Sequence, residues 1–307
     1  MTSAREPLSS ATTATPPHAT WRHYLELTKP RLSAMSVITA MIGYLAAVPY
    51  SYVDWARTAF VVLGTALCAG GAAALNMWME RDTDALMQRT AGRPIPAGIV
   101  QPGSAFVVGW ALSIAGLAVL FKLVNGMSAF LALATIVSYV SIYTPAKRWS
   151  RWNTEIGAIS GAFPPMIGWA AAGRSNPELG WALFAILYTW QMPHFFALAW
   201  TYRKDYAAAG LKMISVTDPT GHKVAARAFV WTVLLAVAGA APTLLGYCSW
   251  YYFAFAAALG LWILKSAFNF LNPEKREVEA RRLFRISLAY LPLLLGLLVA
   301  DRFFFKL

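Results

Sequence analysis

Long apolar segments separated by shorter polar stretches recur along almost the whole chain. We place nine of them near residues 30–50, 58–80, 103–121, 126–144, 154–173, 179–200, 227–246, 248–266 and 284–304. Each has about 20 residues, the length that a helix needs to cross a hydrocarbon core of about 30 Å. None alternates polar and apolar residues as a barrel strand does, so helices are the expected way to satisfy the backbone in lipid. The pattern predicts an all-α integral membrane protein with nine transmembrane helices.

The composition supports a membrane protein rather than a pair of soluble domains. Of the 307 residues, 58% are hydrophobic and 13% are charged, and the mean hydropathy is +0.50. A soluble domain carries about 25% charged residues. We therefore expect one transmembrane domain over residues 22–307. A disordered cytoplasmic tail, rich in Ser, Thr, Pro and Ala, is expected over residues 1–21.

The positive charge is distributed unevenly between the two sides of the predicted bundle. The net charge is +12, and 21 of the 26 Lys and Arg residues fall in the N-terminus and the loops after the second, fourth, sixth and eighth segments. By the positive-inside rule these parts are cytoplasmic. The charge is therefore a topology signal, and it gives no support to nucleic-acid binding. The long loops lie on the same side, which predicts a central cavity open to the cytoplasmic side.

Three oxygen-bearing side chains follow one another at steps of four near the end of the second segment. Asn76, Glu80 and Asp84 share one helical face, about 6 Å apart, because a step of four turns the helix by only about 40° beyond a full turn. Carboxylates of this kind bind Mg²⁺ together with substrate phosphates. Arg89 and Arg93 suit the phosphates themselves. The set predicts a Mg²⁺–diphosphate site at the membrane surface, and the alternative is a solvated helix end whose charges pair locally.

A second polar group joins the fourth and fifth segments. It runs from Tyr143 to Asn153 and includes Lys147 and Arg148, which could add positive charge beside a diphosphate. The alternative is a set of ordinary interface anchors. The fifth segment then contains two prolines, Pro164 and Pro165, which must bend or break its helix. This break indicates either a packing kink or the wall of a cavity.

A third polar group lies in the sixth segment, which contains Gln191, Pro193 and His194. We expect Pro193 to break the helix just before the histidine. An intramembrane His is either a hydrogen-bonded core residue or a functional one. The functional roles include ligand to a metal macrocycle, proton acceptor and contact to a substrate carboxylate. The surrounding aromatic residues could form an interface belt or face a carbocation.

Taken in this order, these groups resemble the intramembrane aromatic prenyltransferase superfamily, and within it the branch that farnesylates haem. The resemblance covers roughly residues 22–304. Its most specific parts are the stretches 190–195 (Trp-Gln-Met-Pro-His-Phe) and 202–206 (Tyr-Arg-Lys-Asp-Tyr). The wider superfamily has a second pair of aspartates here, whereas this chain has Asp205 and then Ala209. Asp205 either binds a second Mg²⁺ or pairs with a neighbouring basic residue.

The resemblance implies Mg²⁺-dependent transfer of a farnesyl group from farnesyl diphosphate to a vinyl group of haem B, giving haem O for terminal oxidases. The implied catalytic residues are Asn76, Glu80, Asp84 and Asp205, of which the first three hold the metal. The implied diphosphate contacts are Arg89, Arg93, Lys147, Arg148 and Arg203. The implied haem contacts are His194, Tyr143, Asn153 and Gln191.

The resemblance also implies a location and partners. We expect a multi-pass protein in the cytoplasmic (inner) membrane of a bacterium, with a cytoplasmic N-terminus and membrane lipid around it. The enzyme that modifies the haem next, or oxidase assembly factors, are the expected protein partners. Two other functions are weighed against this one: a sister prenyltransferase acting on a quinone precursor or chlorophyllide, and a multi-spanning transporter. A transporter would place its polar groups near mid-bilayer, reachable from both sides.

Overall fold

The computed structural model describes residues 18–174 and 177–306, and within these ranges every regular element is helical. The helices are α1 (Trp21–Leu27), α2 (Pro30–Ala47), α3 (Trp55–Asp84), α4 (Pro102–Leu123), α5 (Gly126–Val137), α6 (Thr144–Trp149), α7 (Asn153–Ala162), α8 (Pro164–Ala171), α9 (Glu178–Thr201), α10 (Arg203–Ala208), α11 (Ile214–Thr217), α12 (His222–Leu244), α13 (Trp250–Phe270) and α14 (Arg276–Asp301). A 3₁₀ turn covers Tyr50–Tyr52, and π-helical turns cover Ser138–Tyr143 and Arg302–Lys306. The predicted all-α membrane architecture is confirmed.

Within the described residues, eight of the predicted segments form helices that are long and apolar enough to cross a membrane. The fourth of these runs without a break from α5 through the π-helical turn into α6, over Gly126–Trp149. The remaining segment, 154–173, consists of two shorter helices, α7 and α8, that meet at Phe163. Pro164 and Pro165 follow directly, and neither can donate a backbone hydrogen bond to the preceding turn. The number of nine crossings stays a prediction.

Two other expectations concern the helix break at Pro193 and the start of the transmembrane domain. Helix α9 continues through Pro193, so the break expected before His194 is wrong. Membrane helices tolerate a proline where neighbouring helices cover the freed backbone group, and α9 is packed by α7, α12 and α14. Most of the predicted tail, residues 1–17, lies outside the described residues. Helix α1 begins at Trp21, one residue before the expected start of the domain.

The broken helix packs very closely against the first long helix. A Cβ atom on Gly168 would lie 1.8 Å from the carbonyl oxygen of Ala40, and one on Gly43 would lie 1.9 Å from that of Pro165. Helices in membranes approach this closely only where a residue has no side chain. The two glycines therefore set the distance between α2 and α8.

The largest apolar core lies between α9, α12, α13 and α14. Tyr252 and Tyr290 are its largest fully buried side chains, and Tyr252 donates a hydrogen bond of 3.0 Å to the carbonyl of Gly239. This packing holds α9 and α14 side by side. These two helices form one wall of the cavity described next.

Candidate functional site

A cavity of about 660 Å³ lies inside the helical bundle. Its charged wall residues lie at the start of α2, at the end of α3, in the loop after α3 and in α6. They are Lys29, Arg31, Glu80, Asp84, Arg89, Arg93 and Lys147. Further along the helices the wall is apolar, with residues such as Cys68, Ile136, Ile167 and Leu291. The cavity is therefore amphipathic, with a basic region that suits an anion and an apolar region that suits a hydrophobic group.

The predicted oxygen ligands all line this cavity, and each contacts a basic side chain. The three pairs, with their N···O distances, are Lys29–Asn76 (2.5 Å), Lys147–Glu80 (2.7 Å) and Arg93–Asp84 (2.5 Å). Asn76 and Asp84 are each only 1% exposed. Helix α3 brings the three ligands to one face, as the spacing predicted. That spacing could not predict which basic side chains from other segments contact the three ligands.

Lys29 is a site residue that the sequence analysis counted only as a topology signal. It connects α1 to α2 in a left-handed conformation with φ of 47°, and its ammonium group points into the cavity toward Asn76. Burial, and then the nearby charge of Arg93, lower the pKa of Lys29 to about 7. In the sequence, its position directly before Pro30, at the start of the first long helix, was the feature that could have indicated a role in the site.

The amide of Asn76 is held in one orientation by a threonine. Its Nδ2 donates to Thr144 Oγ1 at 2.9 Å, while Thr144 Oγ1 itself donates to the carbonyl of Tyr139 at 2.9 Å. Because the hydroxyl proton is already used, Thr144 can only accept from the amide. Asn76 Oδ1 is therefore directed toward the basic side of the cavity. The accepting carbonyl belongs to the π-helical turn, a feature frequent at functional sites.

The structure brings only some of the predicted diphosphate contacts together. Arg89, Arg93 and Lys147 line the cavity. Arg148 and Arg203 do not. Arg148 is exposed and donates to the carbonyl of Met79 at 3.2 Å.

Two residues near the start of α10 also lie outside the cavity wall. Arg203 forms an ion pair of 2.5 Å with Glu277 and lies 4.0 Å from the ring of Trp200. That acidic partner is 74 residues away in the sequence, so local spacing could not reveal it. Asp205 is half-buried and does not line the cavity. A role for Asp205 as a second metal ligand stays a prediction.

Three of the four predicted haem contacts, Tyr143, Gln191 and His194, line the cavity. Asn153 does not; it is buried and donates to the carbonyl of Ser150 at 2.7 Å. Asn153 is the first residue of α7, and its side chain forms a hydrogen bond with the segment just before that helix.

Two glycines of α7 make room for the side chains that face the cavity. A Cβ on Gly157 would lie 2.5 Å from the ring of Tyr143, and one on Gly161 would lie 2.0 Å from Gln191 Oε1. Both glycines and Pro164 line the cavity. Of the two interpretations of this segment, the structure favours the cavity wall.

The donor set fits a hard cation that completes its coordination with other oxygens. Among residues 18–174 and 177–306, no group of three or more His, Cys, Asp or Glu side chains could hold a metal by itself. The charged region of the cavity offers two carboxylates and the amide of Asn76, and Mg²⁺ is usually held by one or two carboxylates together with substrate phosphates and water. An oxygen-only set of this size is compatible with Mg²⁺ plus diphosphate.

Comparisons with known proteins agree with this geometry. Residues 36–289 match the model of the UbiA prenyltransferase family. The chain is 53% identical over 287 residues to a protoheme IX farnesyltransferase of Opitutus terrae, covering 94% of this chain and 97% of that protein. It is 42% identical over 289 residues to a protoheme IX farnesyltransferase of Solibacter usitatus, covering 92% and 99% of the two chains.

Solved structures show the same fold at low sequence identity. A digeranylgeranylglyceryl phosphate synthase superimposes with a TM-score of 0.77 and 16% identity, covering 92% of this chain and 98% of that one. A UbiA homologue from Archaeoglobus fulgidus bound to DMAPP and Mg²⁺ gives a TM-score of 0.65 and 15% identity, covering 87% and 98%. The shared fold is that of intramembrane prenyltransferases.

Proposed function

Since the chain belongs to the UbiA prenyltransferase family, we propose that it transfers the farnesyl group of farnesyl diphosphate to a vinyl group of haem B, forming haem O. Relatives that are up to 53% identical carry the name protoheme IX farnesyltransferase. One observation carries the proposal: a single cavity joins a region with five basic residues to an apolar region that contains a histidine and several aromatic rings. A prenyl diphosphate and a porphyrin need these two environments side by side.

Asn76, Glu80 and Asp84 are the residues that would hold Mg²⁺. The homologue from A. fulgidus with the same fold contains Mg²⁺ together with DMAPP, which supports this assignment. When bound, Mg²⁺ supplies a Lewis acid that stabilises the negative charge developing on the diphosphate. Thr144 keeps the oxygen of the Asn76 amide directed toward the cavity.

The basic wall residues would bind the diphosphate itself. Lys29, Lys147 and Arg93 already lie within 2.7 Å of the proposed metal ligands, so they are placed to contact an anion that shares the metal with those ligands. Arg89 is the fourth wall cation of this group. Together these cations stabilise the leaving group as the bond to the allylic carbon breaks.

The farnesyl chain and the porphyrin would occupy the apolar part of the cavity. When the allylic C–O bond breaks, its electron pair leaves with the diphosphate. The rings of Tyr139, Tyr143, Trp190 and Phe195 line the wall and can stabilise the allylic cation. The terminal vinyl carbon then attacks that cation, and water adds to the porphyrin-stabilised cation with loss of a proton. The membrane interior keeps water away from the first cation.

We also propose the orientation and partners of the protein. The N-terminus and the long loops lie on the cytoplasmic side of the inner membrane, as the 21 basic residues on that side indicate. The haem product is hydrophobic, so the enzyme that modifies it next, or an oxidase assembly factor, is the expected partner.

The test is an acceptor competition in membranes that contain the full chain. Haem B, a quinone precursor, farnesyl diphosphate and Mg²⁺ are incubated together, and the products are identified by mass spectrometry with and without EDTA. We expect haem O as the only prenylated product, and none in EDTA. A prenylated quinone precursor instead would establish the sister reaction, and haem O formed in EDTA would refute the metal requirement.

A further inference from the structure

The imidazole of His194 is held rigidly in the apolar part of the cavity. Its ring packs against the rings of Trp190 and Phe284, with centroid distances of 4.9 and 4.7 Å and interplanar angles of 24° and 31°. His194 is 8% exposed, and it lines the cavity. The ring plane is therefore fixed by packing between α9 and α14.

A serine on α14, Ser287, lies within hydrogen-bond distance of one nitrogen of this ring. Ser287 Oγ lies 2.7 Å from the carbonyl oxygen of Phe284, to which it can donate, and 2.8 Å from His194 Nδ1. A hydroxyl has one proton, so when Ser287 donates to that carbonyl it accepts from Nδ1–H. In that arrangement Nδ1 carries the hydrogen, and Nε2 of the neutral ring keeps a free lone pair. Trp190 Nε1 also donates to the carbonyl of Ser287 at 2.7 Å, which fixes the serine against α9.

The second nitrogen is left for a ligand. No described residue forms a hydrogen bond with His194 Nε2. The neighbouring wall is apolar, with Leu198, Leu288 and Leu291. A metal-ligating histidine typically donates its other N–H to a fixed acceptor, which sets the ring orientation and raises the basicity of the ligating nitrogen. His194 and Ser287 have this arrangement.

We propose that Ser287 is a positioning residue that fixes the tautomer and orientation of His194, so that His194 Nε2 ligates the iron of the porphyrin substrate. The inference rests on the proposed function, because haem is the ligand that it requires. Ligation at the iron fixes the centre of the porphyrin relative to α9. It thereby limits which vinyl group can reach the basic region of the cavity.

The experiment uses the full chain in lipid nanodiscs, loaded with ferrous haem B, without farnesyl diphosphate. Resonance Raman spectroscopy measures the iron–imidazole stretching band, and titration measures haem affinity. We expect Ser287→Ala to move the band to lower frequency, because Nδ1–H loses its acceptor, and to weaken haem binding about 10- to 100-fold. Ser287→Thr, which keeps the hydroxyl, should restore both. His194→Ala should abolish the band, and added imidazole should bring it back.

The matched control is Ser266→Ala on α13, because Ser266 is a buried serine whose hydroxyl has no partner among the described residues and which does not line the cavity. It should leave the band and the affinity unchanged. A band that persists in His194→Ala, or that does not move in Ser287→Ala, overturns the inference.

Haem O formation, measured on the same preparations, separates this inference from the proposed function. If the parent makes haem O without a histidine band, the inference fails and the proposed function stands. If the parent neither binds haem nor makes haem O, both fail.

Discussion

Replacing Thr144 by Val should weaken Mg²⁺ binding although no proposed metal ligand is replaced. The substitution keeps the shape of the side chain but removes the hydroxyl that accepts from Asn76 Nδ2 at 2.9 Å and donates to the carbonyl of Tyr139 at 2.9 Å. Asn76 is 1% exposed, so its Nδ2 is left without a partner, and the contact of Lys29 with Oδ1 is the one hydrogen bond that still orients the amide among the described residues. The orientation of the oxygen is therefore held less firmly. Loss of a residue that orients a ligand costs about 10- to 100-fold in metal affinity.

The expected loss of Mg²⁺ affinity agrees in size with the cost of losing the hydrogen bond of Asn76. A factor of 10 to 100 in affinity corresponds to about 1.4 to 2.8 kcal/mol. Leaving a buried amide without a hydrogen bond costs about 1 to 3 kcal/mol. We therefore expect the effect to be visible as a shift of the Mg²⁺ concentration that gives half-maximal activity. The rate at saturating Mg²⁺ should stay close to that of the parent.

The assay is a Mg²⁺ titration of haem O formation at saturating farnesyl diphosphate. Thr144→Ser keeps the hydroxyl and should titrate like the parent. Thr232→Val is the matched control, because Thr232 is fully buried and donates to the carbonyl of Ala228 at 2.6 Å on α12, away from the cavity wall. If Thr144→Val titrates like the parent, or if Thr232→Val shifts as far as Thr144→Val does, the reasoning about Asn76 is refuted.

Three further predictions concern other residues in or near the cavity. Lys29→Met should raise the KM for farnesyl diphosphate about 10- to 100-fold by removing a hydrogen-bond donor to the charged diphosphate, while haem affinity, measured by titration, stays unchanged. A change in haem affinity alone would contradict this. Arg203→Ala should raise the KM for farnesyl diphosphate far less than Arg93→Ala does, because Arg203 pairs with Glu277 outside the cavity. Equal effects of the two substitutions in steady-state assays would show that Arg203 reaches the substrate. Gly161→Ala should displace Gln191, whose Nε2 donates to the carbonyls of Ala158 and Leu187 at 3.1 and 3.0 Å. Loss of these buried hydrogen bonds should destabilise the protein by about 1 to 3 kcal/mol in thermal unfolding. Gly92→Ala, where a Cβ has no heavy atom within 4 Å, should not destabilise it, and equal stabilities would refute the packing argument.

Properties that depend on one helix were predictable from the sequence. The step of four from Asn76 to Asp84 is a feature of α3 alone, and the structure places all three side chains on one cavity wall. The break at Pro164 also follows from the chemistry of a single residue. Pro193 shows the limit of such reasoning, because the helices packed around α9 decide whether its helix continues.

Contacts between distant segments could not be predicted from the sequence. Lys29 meets Asn76 across 47 residues, Asn76 meets Thr144 across 68, and His194 meets Ser287 across 93. Each contact depends on how the helices pack, which a hydropathy pattern does not specify. For the same reason, the sequence could suggest a diphosphate contact for Arg203 but could not show that Arg203 pairs with Glu277 on α14.

The central claim is that the carboxylates of α3 hold Mg²⁺ for transfer of a farnesyl group to haem B. It is tested most directly by incubating the parent, Asp84→Asn and Asp82→Asn with haem B, farnesyl diphosphate and Mg²⁺, and measuring haem O by mass spectrometry. Asp82 is the matched control, since its side chain is 77% exposed and lies next to Arg81. We expect haem O from the parent and from Asp82→Asn, and a loss of about 100-fold or more in Asp84→Asn. Equal amounts of haem O from all three proteins would contradict the account.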